Sequence, residues 1–208
     1  MKGVGAALPA VALLAVCACG GGVQRATVLA EPKAIARGPA AGEVAHRWAV
    51  VPGQSTFDVV GVDVMGGHHP IGFDHWKATV ITGTKSKLFV EVDMTSARGE
   101  SELVTRLLKV DLLDVERYPR ATLEGTIEDG VVEGNATIHG VTKGLRFRGV
   151  LQREGDTYRF VARFRISRDV FGIHAKASWD GLIEDDVHIH VDARAREERV
   201  TAEAVPGD

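Results

Sequence analysis

The sequence predicts an all-β fold in which about eight antiparallel strands form a closed barrel or a sandwich. Three observations support this class. Apolar and polar residues alternate along most of the chain, Gly-containing turns separate the alternating runs, and one short segment alone has helical spacing. With 208 residues, the chain is long enough for one domain with a proper core and additional terminal segments.

The N-terminus, MKGVGAALPAVALLAVCACGGG, has the features of an export signal. Lys2 precedes an apolar run that has the length of a signal-peptide core and is too short to span a bilayer. Ala18 and Cys19 resemble the lipobox of bacterial lipoproteins, in which a small residue precedes the lipidated cysteine. We therefore expect a lipoprotein-type signal peptide over residues 1–18, lipidation of Cys19, and an exported protein anchored on the periplasmic side of the envelope. An ordinary signal peptide cleaved nearby is the alternative.

Composition sets the other boundaries. Residues 19–45 are rich in Gly, Ala and Pro and predict a flexible tether, followed by a barrel over 46–196 and a polar tail over 197–208. Cys17 and Cys19 both precede the barrel, which therefore contains neither a disulfide nor a thiolate metal site. The net charge of −3 comes from interspersed acids and bases, so the chain lacks the basic field that nucleic acid requires.

The strands follow from the alternation, which is clearest in TYRFVARFRIS. There Tyr158, Phe160, Phe164 and Ile166 fall on one face and arginines fall on the other, as in a strand with one dry side. The candidate strands are STFDVVGVDV, WKATVIT, LFVEVDM, ATLEGTIE, VVEGNATIH, GLRFRGVL, TYRFVARFRIS and VHIHVDARA.

SELVTRLL, residues 101–108, is the segment with helical spacing. Its apolar residues recur three and four positions apart, and Ser101 stands where an N-cap is expected. The sequence therefore predicts one short helix among the strands.

The histidines raise the question of a metal site. His188 and His190 alternate with Val187, Ile189 and Val191, so both imidazoles face water if the apolar residues face inward. A His-x-His pair on a strand can present two imidazoles to one metal, but a site needs a third ligand. A solvated face is the simpler interpretation, and we predict no metal. The candidate third ligands are His68, His69 and His75.

Four segments, in matching order and spacing over about residues 46–195, resemble the YceI family of exported bacterial proteins. They are GFDHW, VEVDMTSARGESELVTRLLKVDLLDVERYPRATLEG, VEGNATIHGVTKGLRFRG and FRISRDVFGI. The resemblance implies an extended, lipocalin-like antiparallel barrel whose pore holds a long isoprenoid or similar amphiphilic lipid. Leu112, Leu113 and Leu123 stand where family members often have phenylalanine, which leaves the length and head group of the ligand open.

The resemblance and the dry strand faces together give a candidate ligand-binding set. Each apolar member is equally compatible with plain core packing. Arg168 and His139 are polar residues within the matching motifs that can meet a head group, although Arg168 is equally suited to brace the RDVFG turn through backbone carbonyls. The apolar members are Phe147, Tyr158, Phe160, Phe164, Ile166, Val187, Ile189 and Val191, with Phe73 and Trp76 near a rim.

The leading hypothesis is non-enzymatic binding, carriage or sequestration of such a lipid, with no cofactor. The chain has no Gly-x-Ser-x-Gly elbow, no His-Glu-x-x-His and no phosphate-binding glycine loop. A metal-dependent enzyme using His188 and His190 is one alternative; an envelope scaffold with a packed core and a protein-binding outer surface is another. The expected partners are the lipid and, through the anchor, a membrane, whereas a homodimer is left open.

Overall fold

The computed structural model describes residues 23–32, 46–82, 86–175 and 179–198. Short 3₁₀ turns and one helix, α1 (Glu102–Leu107), accompany thirteen strands within these residues. The strands are β1 Gln24–Arg25, β2 Thr27–Leu29, β3 Arg47–Val50, β4 Thr56–Val62, β5 His68–Phe73, β6 Trp76–Ile81, β7 Ser86–Asp93, β8 Ala97–Arg98, β9 Arg120–Glu128, β10 Val131–Ile138, β11 Val141–Glu154, β12 Thr157–Ser167 and β13 Asp186–Glu198.

The wall is a closed antiparallel barrel of eight strand positions, which confirms the predicted fold class. Around the barrel the order is β12, β11, β10, β9, β7, β6, β3 and β13, and β13 returns to pair with β12. β13 also pairs with β4, and β4 pairs with β5. Two positions of the wall are therefore long strands that are each interrupted once. One is formed by β3 and β4, and the other is formed by β5 and β6.

The predicted helix is present and lies beside β8. The Ser101 hydroxyl caps α1 by accepting a hydrogen bond from the Val104 amide at 3.2 Å. The helix continues into a π-helical turn over Leu108–Leu112, whose Leu108 and Leu112 are buried in the core. Phe171, in the 3₁₀ turn after β12, is fully buried in the same cluster.

Two glycines face each other where β9 and β10 approach closely. Gly125 of β9 and Gly134 of β10 are directly paired. A Cβ on Gly125 would lie 2.5 Å from the carbonyl oxygen of Glu133 and 2.8 Å from the Cα of Gly134. Only residues without a side chain allow two strands to approach this closely, and such positions are typical of barrel corners.

The segment 24–29 differs from the predicted tether because it forms part of the wall. β1 pairs in parallel with β12, and β2 pairs antiparallel with β11, so the segment fills the space where β11 and β12 diverge. Gln24 bonds both the carbonyl oxygen and the amide of Arg148. Between the two strands Ala26 is 6% exposed and belongs to the core cluster. We call residues 24–29 the strap.

Replacing Ala26 with aspartate is expected to lower the free energy of unfolding by about 1–2 kcal/mol. A carboxylate at this buried position has to be desolvated, and the loss is limited because the strap can detach instead. Urea unfolding of A26D beside T27D, whose residue is exposed, measures the effect. Equal stability of the two variants would show that the strap contributes nothing to the wall.

The C-terminal boundary also differs from the expectation. Glu197 and Glu198 continue β13 and pair with Trp48 and Arg47, so the first two residues of the predicted tail belong to the barrel. The predicted signal peptide, the tether residues 19–22 (with Cys19) and 33–45, and the tail from residue 199 lie outside the described residues. None of the helices among the described residues is long and apolar enough to cross a membrane.

Candidate functional site

The barrel encloses an elongated apolar cavity of about 310 Å³. It is formed by the inward faces of the wall strands, where every second residue is apolar, as the alternation predicts. The lining residues are Trp48, Val50, Phe57, Trp76, Ala78, Val80, Thr82, Ser86, Leu88, Val90, Val92, Ala121, Thr122, Leu123, Ile127, Ala136, Ile138, Leu145, Phe147, Leu151, Tyr158, Phe160, Phe164, Ile166, Ile189, Val191, Ala193 and Ala195.

The cavity is long and narrow. On β7 the lining runs from Ser86 to Val92, seven residues whose six steps span about 20 Å along the strand. Alanines keep this space empty, because they point inward at positions where a larger side chain would fill the barrel. These alanines are Ala78, Ala121, Ala136, Ala193 and Ala195.

Aromatic pairs shape the cavity. Trp48 and Tyr158 meet edge to face with ring centroids 4.7 Å apart. Phe147 of β11 and Phe164 of β12 stack at 4.0 Å across the two strands that the strap joins. Such pairs hold rings in fixed positions, so the cavity is a preformed slot.

Eight of the ten predicted apolar ligand-binding residues line the cavity. Phe73 and Val187 pack against the core cluster but do not line the cavity. Sequence reasoning missed the β3 residues Trp48 and Val50, since four residues are too few for a recognisable period. It also missed the lining alanines, although the same alternation places them inward. The eight are Trp76, Phe147, Tyr158, Phe160, Phe164, Ile166, Ile189 and Val191.

Arg168 and His139 lie away from the cavity lining. The Arg168 guanidinium is buried and donates to the carbonyl oxygens of Ile173 at 2.7 Å and Glu184 at 3.2 Å, and to the Asp180 carboxylate at 2.7 Å. It therefore braces the turn after β12. His139 has a positive φ of 52° and packs against the Tyr118 ring at 4.1 Å. Burial lowers its pKa, which favours the neutral imidazole.

Asp180 makes the stability of the turn after β12 depend on pH. The Ala175 amide donates to its carboxylate at 2.6 Å, and together with Arg168 this bond lowers the carboxyl pKa. A pKa below the unfolded value contributes stability that is present above that value and lost as pH falls through the folded pKa. We expect D180N to be less stable at neutral pH and to lose less stability on acidification. Urea unfolding at a series of pH values checks this, and parallel pH curves for the two proteins would contradict it.

The histidines lie on the outer wall. His188 and His190 are half-buried on the outside of β13, and the His68 ring lies 6.3 Å from that of His188. Burial and the neighbouring Arg165 lower the pKa of His188. His69 contacts Asp63 at 3.0 Å instead of joining this pair. Among the described residues, no group of three His, Cys, Asp or Glu side chains is placed to hold a metal.

A second, polar pocket of about 230 Å³ adjoins the cavity. Val50, Phe57 and Trp76 line both spaces, so the two pockets meet at the layer that these residues form. Phe73, which was predicted near a rim, lies here. The remaining lining residues are Pro52, Gly53, Ser55, Thr56, Asp58, Gly72, Asp74 and Arg98.

Three solved structures share this architecture. BcnA of Burkholderia cenocepacia has 19% identity and a TM-score of 0.63, covering 70% of this chain and 98% of its own. A polyisoprenoid binding domain from Saccharophagus degradans, described as implicated in plant cell wall breakdown, has 13% identity and a TM-score of 0.63, covering 73% and 98%. The Campylobacter jejuni YceI protein has 19% identity and a TM-score of 0.52, covering 62% and 84%. These likenesses show the fold.

Family membership comes from the sequence itself. No curated protein matches the chain. The YceI-like domain model, however, matches residues 48–195, which is most of the barrel and includes every segment on which the resemblance was based. The chain belongs to the YceI-like domain family.

Proposed function

We propose that this protein binds a slender amphiphilic lipid of the isoprenoid type in its barrel and carries or sequesters it without catalysis. The observation that carries the proposal is the preformed slot of about 310 Å³ with an almost entirely apolar lining. Small-molecule sites range from about 300 to 1,000 Å³, so the slot suits a narrow chain better than a bulky ring system. The Saccharophagus degradans domain, described as polyisoprenoid binding, supports this ligand class.

The energetics favour a chain that fills the slot. Each buried carbon group contributes up to about 0.8 kcal/mol, so an isoprene unit gains at most about 4 kcal/mol before the cost of ordering is subtracted. Affinity should therefore rise with chain length until the slot is full. Additional units would remain outside and add little.

We further propose that the protein is exported and held on the periplasmic side of the envelope by lipid on Cys19. The strap bears on the geometry of this anchor. Five residues of fully extended chain, from Cys19 to Gln24, reach at most about 18 Å. Because Gln24 already belongs to the wall, the anchor would keep the barrel next to the membrane that supplies or receives the lipid.

A length series of isoprenoid alcohols tests the proposal. Trp48 and Trp76 line the slot, so their intrinsic fluorescence should report occupancy. Farnesol, geranylgeraniol and longer polyprenols are expected to bind saturably, with affinity that rises and then levels off. Absence of saturable binding along the whole series would support the packed scaffold instead.

A further inference from the structure

The barrel wall has a gap beside the polar pocket. β3 pairs with β6 as far as Ala49 and Thr79, and β4 resumes pairing with β5 at Asp58 and Gly72. Between these positions, the long strand formed by β3 and β4 has no backbone pairing with the long strand formed by β6 and β5. One is interrupted by the turn after Val50 and the other between Phe73 and Trp76. Both interruptions contribute lining residues to the polar pocket, so the two breaks lie side by side in the wall.

The polar pocket occupies this gap and meets the apolar slot behind it. Phe57 and Trp76, with ring centroids 5.7 Å apart, line both spaces. A lipid whose chain lies in the slot therefore has polar surface within reach of its end at this gap. Amphiphile sites need this combination of an apolar body and a few convergent polar groups.

The charges of the pocket restrict the kind of head group. Arg98 forms an ion pair with Asp74. Asp58 lines the same pocket, and no ion pair of Asp58 is found among the described residues. Among the residues that line this pocket, two carboxylates stand against one guanidinium, an excess of one negative charge. Such a pocket repels a phosphate, whereas a hydroxyl can donate a hydrogen bond to a carboxylate oxygen.

We propose that the wall gap is the head-group site and that it takes an uncharged hydroxyl head in preference to a phosphate. This inference rests on the proposed lipid-binding function and specifies its ligand further. The chain lies in the slot, its first carbons pass outward beside Phe57 and Trp76, and the hydroxyl reaches the exposed carboxylate of Asp58 or Asp74 in the gap.

The test compares geranylgeraniol with geranylgeranyl monophosphate, which differ in the head alone. The unmodified barrel should bind the alcohol about tenfold more tightly or better. The double variant D58N/D74N removes both carboxylates, so the preference should fall to about threefold or less. The matched control D129N/D156N makes the same charge change at two exposed turn residues and should keep the preference of the unmodified protein.

The outcomes separate the two proposals. If neither lipid binds, the proposed function fails and this inference fails with it. If both bind but the preference is the same in D58N/D74N and in the unmodified protein, the lipid-binding barrel stands and the head group lies elsewhere. Tighter binding of the phosphate by the unmodified protein would also overturn the hydroxyl preference while leaving lipid binding intact.

Discussion

Replacing Gly134 with alanine is expected to lower the free energy of unfolding by about 3 kcal/mol. A Cβ at this position would lie 2.6 Å from the Cα of Gly125 and would also meet the carbonyl oxygen of Glu124. Both obstacles are main-chain atoms of β9, which cannot move away without disturbing the β9–β10 ladder. The urea midpoint, with its slope, measures the loss.

Gly181 provides the control for this prediction. A Cβ on Gly181 meets nothing within 4 Å, and its backbone is not left-handed. G181A should therefore remain within about 0.5 kcal/mol of the unmodified protein. If G134A and G181A unfold at the same urea concentration, the close strand approach does not exist in solution.

Filling the slot from Ala193 is expected to abolish lipid binding. Ala193 faces Phe160 across the β12–β13 ladder, and both line the slot. A phenylalanine there would occupy the space that the lipid chain needs, so A193F should weaken polyprenol binding about a hundredfold or more, which corresponds to about 3 kcal/mol. Tryptophan fluorescence titration or competition with a labelled lipid gives the affinity.

Ala49 allows the same substitution on the opposite face. Its neighbours Trp48 and Val50 line the slot, so Ala49 points outward from β3. A49F should bind lipid as the unmodified protein does. Equal weakening by A49F and A193F would indicate general damage to the barrel, and undiminished binding by A193F would place the ligand outside the slot.

Local periodicity made most of this fold predictable. The alternation in TYRFVARFRIS defines the inward face of β12, and in the structure Tyr158, Phe160, Phe164 and Ile166 all line the slot. The helix was equally predictable, because Ser101 is an N-cap whose hydrogen-bond partner lies three residues away. Each of these features depends on neighbours in the sequence.

Features that depend on partners far away in the sequence could not be predicted from local periodicity. The strap has three-residue β2 and two-residue β1, too short for a period, and its pairing partners lie more than a hundred residues later. Its location in the wall therefore comes from the shape of the gap between β11 and β12. The polar pocket is similar, since Asp58, Asp74 and Arg98 come from three elements that only the closed barrel brings together.

Arg168 shows how burial decides between interpretations that the sequence leaves open. An arginine near a predicted pore can meet a head group or brace a turn, and the residue type fits both. In the structure its side chain is 7% exposed, and its donors are directed at backbone carbonyls and Asp180. Those bonds make it part of the turn after β12.

Native mass spectrometry of the full chain, purified gently from a bacterial host, tests the central claim most directly. A metal scan on the same sample distinguishes the histidine hypothesis. The proposed function predicts a co-purifying species of lipid mass that organic solvent removes and that A193F fails to retain. A bare protein mass carrying one stoichiometric zinc ion would contradict the lipid-binding barrel and favour a metal-dependent activity at His188 and His190.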